Sequence, residues 1–347
     1  MASRYYGGKS EKYVESILPL LPDDGIHRFV DCFFGMGNAT RQIPCKMTNT
    51  QVIAYEKERG LCALHEVIKD DVLLEELISK IKNVKNTKEY FQHSMDIVKA
   101  YNSREKDFSK VDVALAELVA IRFSRNSARN SYRNPRSYEG RGYDAITMAK
   151  KRRVLDSISE KFYNQMSIEL IEKNYNWKKI KLINDDCINH IEKWGSNENF
   201  IFIDPPYLPY MRGLKDRNVK KPVNRGYMED MSADEHNILI DKIIKTSNAG
   251  AKCMVCSNFE IDVEGNPIGI ADDPYTKLLQ HGFRMVVVKK CYRTAIITLK
   301  NIKSPVKQKK KPKVEVVYIN YPNIIGTWEL YKYIDYADVV NNNETSI

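Results

Sequence analysis

The stretch Arg28-Phe29-Val30-Asp31-Cys32-Phe33-Phe34-Gly35-Met36-Gly37 decides the fold, because an apolar run passes there into a loop with two glycines. A second apolar run, Gln51–Tyr55, follows and ends at Glu56. A strand, a glycine loop, a helix and a second strand that ends in an acid are typical of the start of a doubly wound nucleotide-binding sheet. The sequence therefore predicts an α/β fold with a mixed, mostly parallel sheet.

The glycine loop by itself does not identify a ligand. Glycines after a strand let a ligand approach the backbone closely, but a tight strand-to-helix turn needs them as well. Thr40 stands where a dinucleotide fingerprint requires a third glycine, which argues against NAD or FAD. It does not argue against S-adenosylmethionine (AdoMet), which has no pyrophosphate. Glu56 lies where an acid can bind ribose hydroxyls, or it is a surface charge.

The second informative motif is Asp204-Pro205-Pro206-Tyr207, directly after the apolar run Phe200–Ile203. The run and the prolines predict a buried strand that stops abruptly. A carboxylate and the next backbone carbonyl can accept hydrogen bonds from the exocyclic amine of a base, and an aromatic ring can stack on its face. Asp-Pro-Pro is also an ordinary way to open a turn, so the motif alone leaves both interpretations open.

Length and composition exclude several classes of protein. The 347 residues suffice for one large or two moderate domains, and 43% of them are hydrophobic. No apolar stretch reaches the ~20 residues that span a bilayer, and the N-terminus lacks the apolar core of a signal peptide, so we expect a cytoplasmic protein. The seven cysteines are scattered, which favours reduced thiols. Cys253 and Cys256 have CxxC spacing without a second pair nearby, and we predict packed thiols and no metal site.

Positive charge is concentrated in one part of a chain whose net charge is +10. Residues 122–153, called the basic segment below, contain ten arginines and lysines and only two acids, Glu139 and Asp144. Interleaved tyrosines make nucleic acid the favoured partner, with a solvated basic face as the alternative. The arginines predicted to contact DNA are Arg122, Arg125, Arg129, Arg133, Arg136 and Arg141.

The patterns along the chain predict an insertion into the sheet. Residues 61–179 show mainly helical periodicity, at Val72–Ile81, Val111–Phe123 and Val154–Ile171, separated by polar and basic linkers. Strand patterns resume at Lys179–Ile183. We therefore predict a catalytic domain of residues 1–60 and 180–335, an inserted helical domain of residues 61–179 that carries the basic segment, and a disordered tail of residues 336–347.

Five motifs, in the same order, resemble those of the Dam-type adenine-specific DNA methyltransferases. They are Arg4-Tyr5-Tyr6-Gly7-Gly8-Lys9-Ser10, Phe29–Gly37, Asp204–Tyr207, Tyr227–His236 and Glu315–Tyr321. Residues 61–179 have no such match, and that family has its target-recognition domain there. The resemblance implies a Rossmann-like AdoMet-dependent methyltransferase fold with a seven-stranded sheet and a helical target-recognition insert. It also implies transfer of a methyl group from AdoMet to N6 of an adenine flipped out of DNA.

The resemblance further implies the roles of individual residues. Asp204, Pro205, Pro206 and Tyr207 would be catalytic, with Tyr207 stacked on the target base. Lys9 would lie near the cofactor carboxylate, Glu56 would bind the ribose and Asp186 the cofactor adenine, with Asp185 as the alternative to Asp186. Cys187 stands where the family usually has an aromatic residue beside this acid. The implied cofactor residues are Tyr6, Lys9, Asp31, Phe33, Gly35, Gly37, Glu56 and Asp186.

Other activities remain possible at this point. The main alternative is a DNA cytosine N4-methyltransferase, and a second is a catalytically inactive DNA-binding relative. RNA or protein amides are less favoured substrates because of the basic segment. The expected partners are double-stranded DNA and a possible cognate restriction endonuclease, for a monomer or weak dimer that does not bind membranes. We interpret His236 as a structural residue, and the basic loop Arg212–Lys221 either closes over DNA or is a connector.

Overall fold

The computed structural model describes residues 11–23, 25–47, 50–85, 87–123, 170, 177–207, 231–261, 267–270, 273–288 and 313–334. The strands are β1 (Arg28–Asp31), β2 (Gln51–Tyr55), β3 (Ile180–Ile183), β4 (Asn199–Ile203), β5 (Lys252–Ile261), β6 (Pro267–Ile268), β7 (Arg284–Val288), β8 (Lys313–Ile319) and β9 (Lys332–Ile334). The helices are α1 (Glu11–Ile17), α2 (Asn38–Gln42), α3 (Arg59–Lys69), α4 (Asp71–Ile81), α5 (Lys88–Asn102), α6 (Lys110–Arg122) and α7 (Ala233–Asn248).

One mixed sheet runs through the described part of the chain in the order β3-β2-β1-β4-β5-β8-β7-β9, and β6 pairs with the end of β5. One half of this sheet is parallel and consists of β3, β2, β1, β4 and β5. The other half is antiparallel, with β8 between β5 and β7, and β9 beside β7. The α/β fold with a mixed, mostly parallel sheet is confirmed. The carboxyl ends of the parallel strands therefore meet at one edge, which is where ligands bind in such sheets.

The predicted count of seven strands is wrong, since eight strands follow one another across the described sheet. The additional edge strand is β9, whose three residues are too few to show an alternating pattern in the sequence. It pairs with β7 through Met285, Val286 and Val287. The sequence also predicts a strand at Ala295–Leu299, and these residues lie outside the described part of the chain.

Both faces of the central strands are buried. Phe29, Phe200 and Phe202 pack into the hydrophobic core on one face, and Val30 and Ile201 pack into the core on the other. Because side chains alternate across a strand, a strand covered on both faces is apolar at every position. This double burial explains the unbroken apolar run that precedes Asp204.

Helices of the predicted insert pack directly on the sheet. Leu64 and Val67 of α3, Leu77 of α4 and Leu118 of α6 belong to the same core as Phe29 of β1. The predicted helices at 72–81 and 111–123 are confirmed, whereas α3 and α5 were not predicted, and the predicted helix at 154–171 falls almost entirely outside the described residues. The division of the chain into a catalytic domain and an insert stays a prediction.

Helix α7 begins at a complete capping box. The Glu235 backbone N–H donates to the Ser232 hydroxyl at 3.2 Å, and the Ser232 backbone N–H donates to a Glu235 carboxylate oxygen at 2.7 Å. Serine followed three residues later by glutamate predicts an N-cap and a capping box at these positions, and the structure confirms both. The cap fixes the first turn of α7, and with it His236, against the end of β4.

Candidate active site

The candidate active site lies at the edge where the parallel strands β1, β2 and β4 end. Asp31 is the last residue of β1, Glu56 follows β2 and Asp204 follows β4. The strand register brings them together, because Asp31 is opposite Ala54 of β2 and Phe202 of β4. Three of the acids chosen from the sequence thus lie at one edge of the sheet.

Asp31 is an almost completely buried carboxyl group, with 1% of its surface exposed. Its oxygens accept hydrogen bonds from the Phe33 backbone N–H, at 3.1 Å, and from the Thr40 hydroxyl. Burial raises the pKa of Asp31 to about 7; the negative charge of Asp204 adds to the rise, and the two hydrogen bonds oppose it. An ionised Asp31 therefore needs a cationic neighbour to be stable.

Glu56 holds the glycine loop in place. Its carboxylate accepts hydrogen bonds from the backbone N–H of Gly35 and of Glu58, each at 2.9 Å. A carboxylate can accept several hydrogen bonds at once, so these two contacts position the Glu56 side chain at the loop. The loop itself is tightly built, because Gly37 has a φ of 70° and a Cβ there would lie 2.8 Å from the Phe34 ring.

A buried histidine supports the same loop from α3. His65 is 1% exposed, and its Nε2 lies 2.6 Å from the Gly35 carbonyl oxygen. The His65 ring also packs against Phe34 and Trp177, with ring centroids 4.6 Å away in each case. Sequence reasoning did not select His65, because its partner lies thirty residues earlier in the chain and only the packing of α3 brings the two together.

Asp186 lies after β3 at the same edge. One of its carboxylate oxygens accepts a hydrogen bond from the Ile188 backbone N–H at 2.9 Å, and the other lies 3.9 Å from Lys57 Nζ. The alternative acid, Asp185, lies 2.8 Å from His190 Nε2, and this hydrogen bond lowers the pKa of Asp185. Both acids thus contact neighbouring groups, and the choice of Asp186 over Asp185 stays a prediction.

The motif after β4 forms a contact that the sequence did not reveal. The Tyr207 hydroxyl lies 3.3 Å from Oδ1 of Asp204 and 3.2 Å from Oε2 of Glu315. Glu315 belongs to β8, which pairs with β5 on one side and β7 on the other. Glu315 was noted in the sequence only as part of a motif, because its approach to Tyr207 depends on the pairing of β8 with β5.

His236 lies behind the motif. It is 1% exposed, and its Nδ1 lies 2.8 Å from the Tyr275 hydroxyl oxygen. Burial lowers the pKa of His236 to about 4, and the Pro206 carbonyl and the Glu235 carboxylate oppose this effect. The ring is therefore neutral at neutral pH and lies between α7, the 3₁₀ helix Pro274–His281 and the Asp204–Tyr207 motif.

Five cysteines are buried free thiols, at positions 32, 62, 187, 253 and 256. Cys253 and Cys256 are fully buried in β5 as free thiols, which confirms the prediction of packing at the CxxC spacing. Cys187 is 2% exposed and hydrogen-bonds the buried thiol of Cys32, so that a thiol contact joins the ends of β1 and β3. Within the described ranges, no group of three or more His, Cys, Asp or Glu residues is arranged to hold a metal ion.

Other predicted site residues fall outside the part of the chain that the structure describes. Arg122, the last residue of α6, is described and partly buried. The remaining ones are Tyr6, Lys9, Arg125, Arg129, Arg133, Arg136 and Arg141, together with the loop Arg212–Lys221. Their proposed contacts with cofactor or DNA stay predictions. No helix among the described residues is both long and apolar enough to cross a membrane.

Comparison with known proteins gives one family match. A family model described as D12 class N6 adenine-specific DNA methyltransferase matches residues 5–294 of the chain. The matched range contains the glycine loop and the Asp204–Tyr207 motif, and it ends before Glu315. No curated protein sequence matches the chain.

Proposed function

We propose how the described residues serve the reaction of this chain, which belongs to the D12 class N6 adenine-specific DNA methyltransferase family and methylates the N6 nitrogen of adenine in DNA. The proposed active site is the edge of the sheet formed by the ends of β1, β2 and β4. One observation carries the proposal: the strand register brings the buried Asp31 and the motif acid Asp204 together at that edge.

The family implies a methyl donor of the AdoMet type, and we propose that AdoMet itself binds beside the glycine loop. The carboxylates at this edge of the sheet fit the functional groups of this cofactor. Asp31 suits a cationic amino or sulfonium group, because its buried charge lacks solvation. Glu56 suits the ribose, because it is an acid directly after β2 and its hydrogen bonds to Gly35 and Glu58 hold its carboxylate at the glycine loop. Asp186 would bind the adenine ring, and Tyr6, Lys9, Phe33 and Gly37 complete the proposed site.

The proposed catalytic role of Asp204 follows from the weak nucleophilicity of an exocyclic adenine nitrogen, whose lone pair is delocalised into the ring. Hydrogen bonds from the two amino hydrogens to the Asp204 carboxylate and the Pro205 carbonyl favour a pyramidal nitrogen and localise that pair. The two prolines restrict the backbone, so both acceptors are positioned before the base arrives. Bound AdoMet would supply an electrophilic methyl group for direct attack by the nitrogen.

The reaction needs no covalent enzyme intermediate. Burial raises the pKa of the Cys32 and Cys253 thiols well above the ordinary value, so both stay protonated at neutral pH. A protonated, buried thiol is a poor nucleophile. This supports a direct transfer in which the side chains of the site orient the base and accept hydrogen bonds.

We propose that the substrate is double-stranded DNA and that the target adenine leaves the stack to reach Asp204, with Tyr207 stacked on its face. The arginines at 122, 125, 129, 133, 136 and 141 would contact the DNA, within an inserted domain of residues 61–179. A monomer or weak dimer, with or without a cognate restriction endonuclease, is compatible with this arrangement. The basic segment would supply the affinity for phosphates that the acidic active site lacks.

Nucleoside mass spectrometry tests the assignment. Unmethylated DNA is incubated with AdoMet and wild-type protein, Asp204→Ala or Asp241→Ala; Asp241 is an exposed acid of α7 paired with Lys277 and serves as the matched control. We expect N6-methyladenine with the wild type and the control, none with Asp204→Ala, and AdoMet binding retained by all three in calorimetry. Activity of Asp204→Ala at the wild-type level would remove Asp204 from the mechanism.

A further inference from the structure

We propose that Glu315 is a positioning residue that takes over the Tyr207 hydroxyl when the amine of the target base occupies Asp204. The inference rests on the proposed function, in which Asp204 binds the amine and Tyr207 stacks on the base. It concerns a residue beyond the range that the family model matches.

The geometry of the Tyr207 hydroxyl carries the argument. Its oxygen is 3.3 Å from Oδ1 of Asp204 and 3.2 Å from Oε2 of Glu315. Both distances exceed the usual ~2.7–2.8 Å of an O–H···O hydrogen bond. A phenol has one proton to donate, so the hydroxyl can satisfy only one of the two carboxylates at a time. It therefore lies between two acceptors and can move to either by a few tenths of an ångström.

The Asp204 carboxylate has about four acceptor sites, so it can accept from the phenol and from the adenine amine together, but two donors at one oxygen share its charge. In the proposed mechanism the amine is such an additional donor at Asp204, and it weakens the hydrogen bond between Asp204 and the phenol. Glu315 offers the hydroxyl a second charged acceptor at 3.2 Å, to which it moves as the base binds.

Glu315 is well placed for this role because its backbone is fixed. It lies in the interior strand β8, opposite Asn258 of β5 and Val288 of β7. Its neighbours Val314 and Val316 are buried in the core at 5% and 0% exposure. Tyr207, in contrast, follows β4 and belongs to no helix or strand. The Glu315 carboxylate is thus the fixed partner, and it sets where the Tyr207 ring stands when the base arrives.

Double-mutant kinetics test the proposal. Single-turnover methyl transfer is measured for Glu315→Ala, Glu315→Gln, Tyr207→Phe and the two double variants. Glu329→Ala, at an exposed acid remote from the site, is the control. We expect Glu315→Ala and Tyr207→Phe each to slow transfer about tenfold, the loss of one hydrogen bond to a charged group. The double variant should be no slower than either single one, and Glu315→Gln, which keeps an acceptor oxygen, should stay within about threefold of wild type.

A spectroscopic measurement separates positioning from folding. DNA with 2-aminopurine at the target position fluoresces when that base leaves the stack, and a stacked Tyr207 ring quenches it. We expect Glu315→Ala to change this fluorescence while the affinities for AdoMet and DNA and the melting temperature stay at wild-type values. If Glu315→Ala does not fold, the double-mutant cycle of Glu315→Gln with Tyr207→Phe tests the proposal instead. The proposal requires that Glu315→Gln has no effect on the rate of methyl transfer once Tyr207→Phe has removed the hydroxyl.

The outcomes also distinguish this inference from the proposed function. Wild-type kinetics for Glu315→Ala, or rate losses that multiply in the double variant, would overturn the role of Glu315 while an inactive Asp204→Ala still supported the active site. Equal losses for Glu315→Gln and Glu315→Ala would show that the charge matters and the acceptor does not, and would also overturn it. An active Asp204→Ala would instead remove the assignment on which both proposals rest.

Discussion

Replacing Asp31 by Asn should make the protein more stable at alkaline pH than the wild type, and the gain should disappear in acid. The pKa of Asp31 is about 7 in the folded protein and 3.8 in the reference state, with burial as the main cause. Between these values the unfolded chain releases the proton while the folded protein retains it. The folded state therefore loses stability as the pH rises from 3.8 towards 7 and keeps the full penalty above 7.

The magnitude follows from the size of the shift. Each unit of pKa difference corresponds to about 1.4 kcal/mol, so the shift from 3.8 to about 7 costs the folded state about 4 kcal/mol at pH 8. At pH 5 the folded state has lost only the part of this free energy that belongs to the interval from pH 3.8 to pH 5, roughly 1–2 kcal/mol. The stability difference between Asp31→Asn and wild type should thus change by about 3 kcal/mol between pH 5 and pH 8, in favour of the variant at pH 8.

Urea unfolding at the two pH values measures this difference. Subtracting the free energy of unfolding of the wild type from that of the variant cancels the contributions of other titrating groups. One of these groups is Asp273, a second buried carboxyl group, and burial raises its pKa to about 7. Asp273→Asn serves as the matched control, because it should show a similar pH dependence while AdoMet binding is kept. Asp31→Asn should bind AdoMet more weakly. A stability difference for Asp31→Asn that is the same at both pH values would refute the buried, proton-retaining Asp31.

Three further predictions concern the loop, the cap and the DNA surface. Gly37→Ala should destabilise the protein by about 1–3 kcal/mol in urea unfolding, because the residue has a φ of 70° and a Cβ would collide with Phe34; an unchanged unfolding midpoint would argue against this loop geometry. Ser232→Ala should cost about 1 kcal/mol by losing the N-cap of α7, and Ser232→Thr should restore most of it. Reversing the charge of Arg125 or Arg129 should reduce the slope of log K for DNA against log salt by about one per lost phosphate contact; an unchanged slope would identify a solvated face.

The sequence predicted the elements around the candidate site well, because short local patterns indicate them. The apolar run before Asp204 is continuous since β4 is buried on both faces, and the capping box at Ser232 needs only residues three positions apart. Glu56 could be chosen because an acid after the second strand of such a sheet can bind ribose hydroxyls, whereas Asp31 was implied by the resemblance to Dam-type methyltransferases and Asp204 was selected from its own motif. These features depend on short segments and on one general rule of sheet topology.

The features that sequence analysis missed depend on contacts between distant segments. Helix α5 carries Phe91, Met95 and Val98 at helical spacing, but polar residues surround them and hide the pattern. His65 supports the glycine loop only because α3 packs against the sheet. The contact of Glu315 with Tyr207 spans 108 residues and requires β8 to pair with β5. The contacts of His65 and of Glu315 leave no periodic signal in the residues that make them.

The proposed site offers only hydrogen-bond acceptors to the reacting edge of a base. We expect this property to discriminate between bases whatever the surrounding DNA sequence is. A carboxylate such as Asp204 and a backbone carbonyl such as that of Pro205 can only accept hydrogen bonds at the reacting edge of a base. Adenine and cytosine present an exocyclic amine there, whereas guanine and thymine present a carbonyl oxygen that would face these acceptors unpaired. We therefore expect the proposed site to disfavour keto bases, because their binding would leave buried polar groups unsatisfied. The proposed contact with Asp204 does not distinguish adenine from cytosine, since both present an amine, so we expect that choice to depend on contacts with the rest of the ring, including the proposed stack on Tyr207.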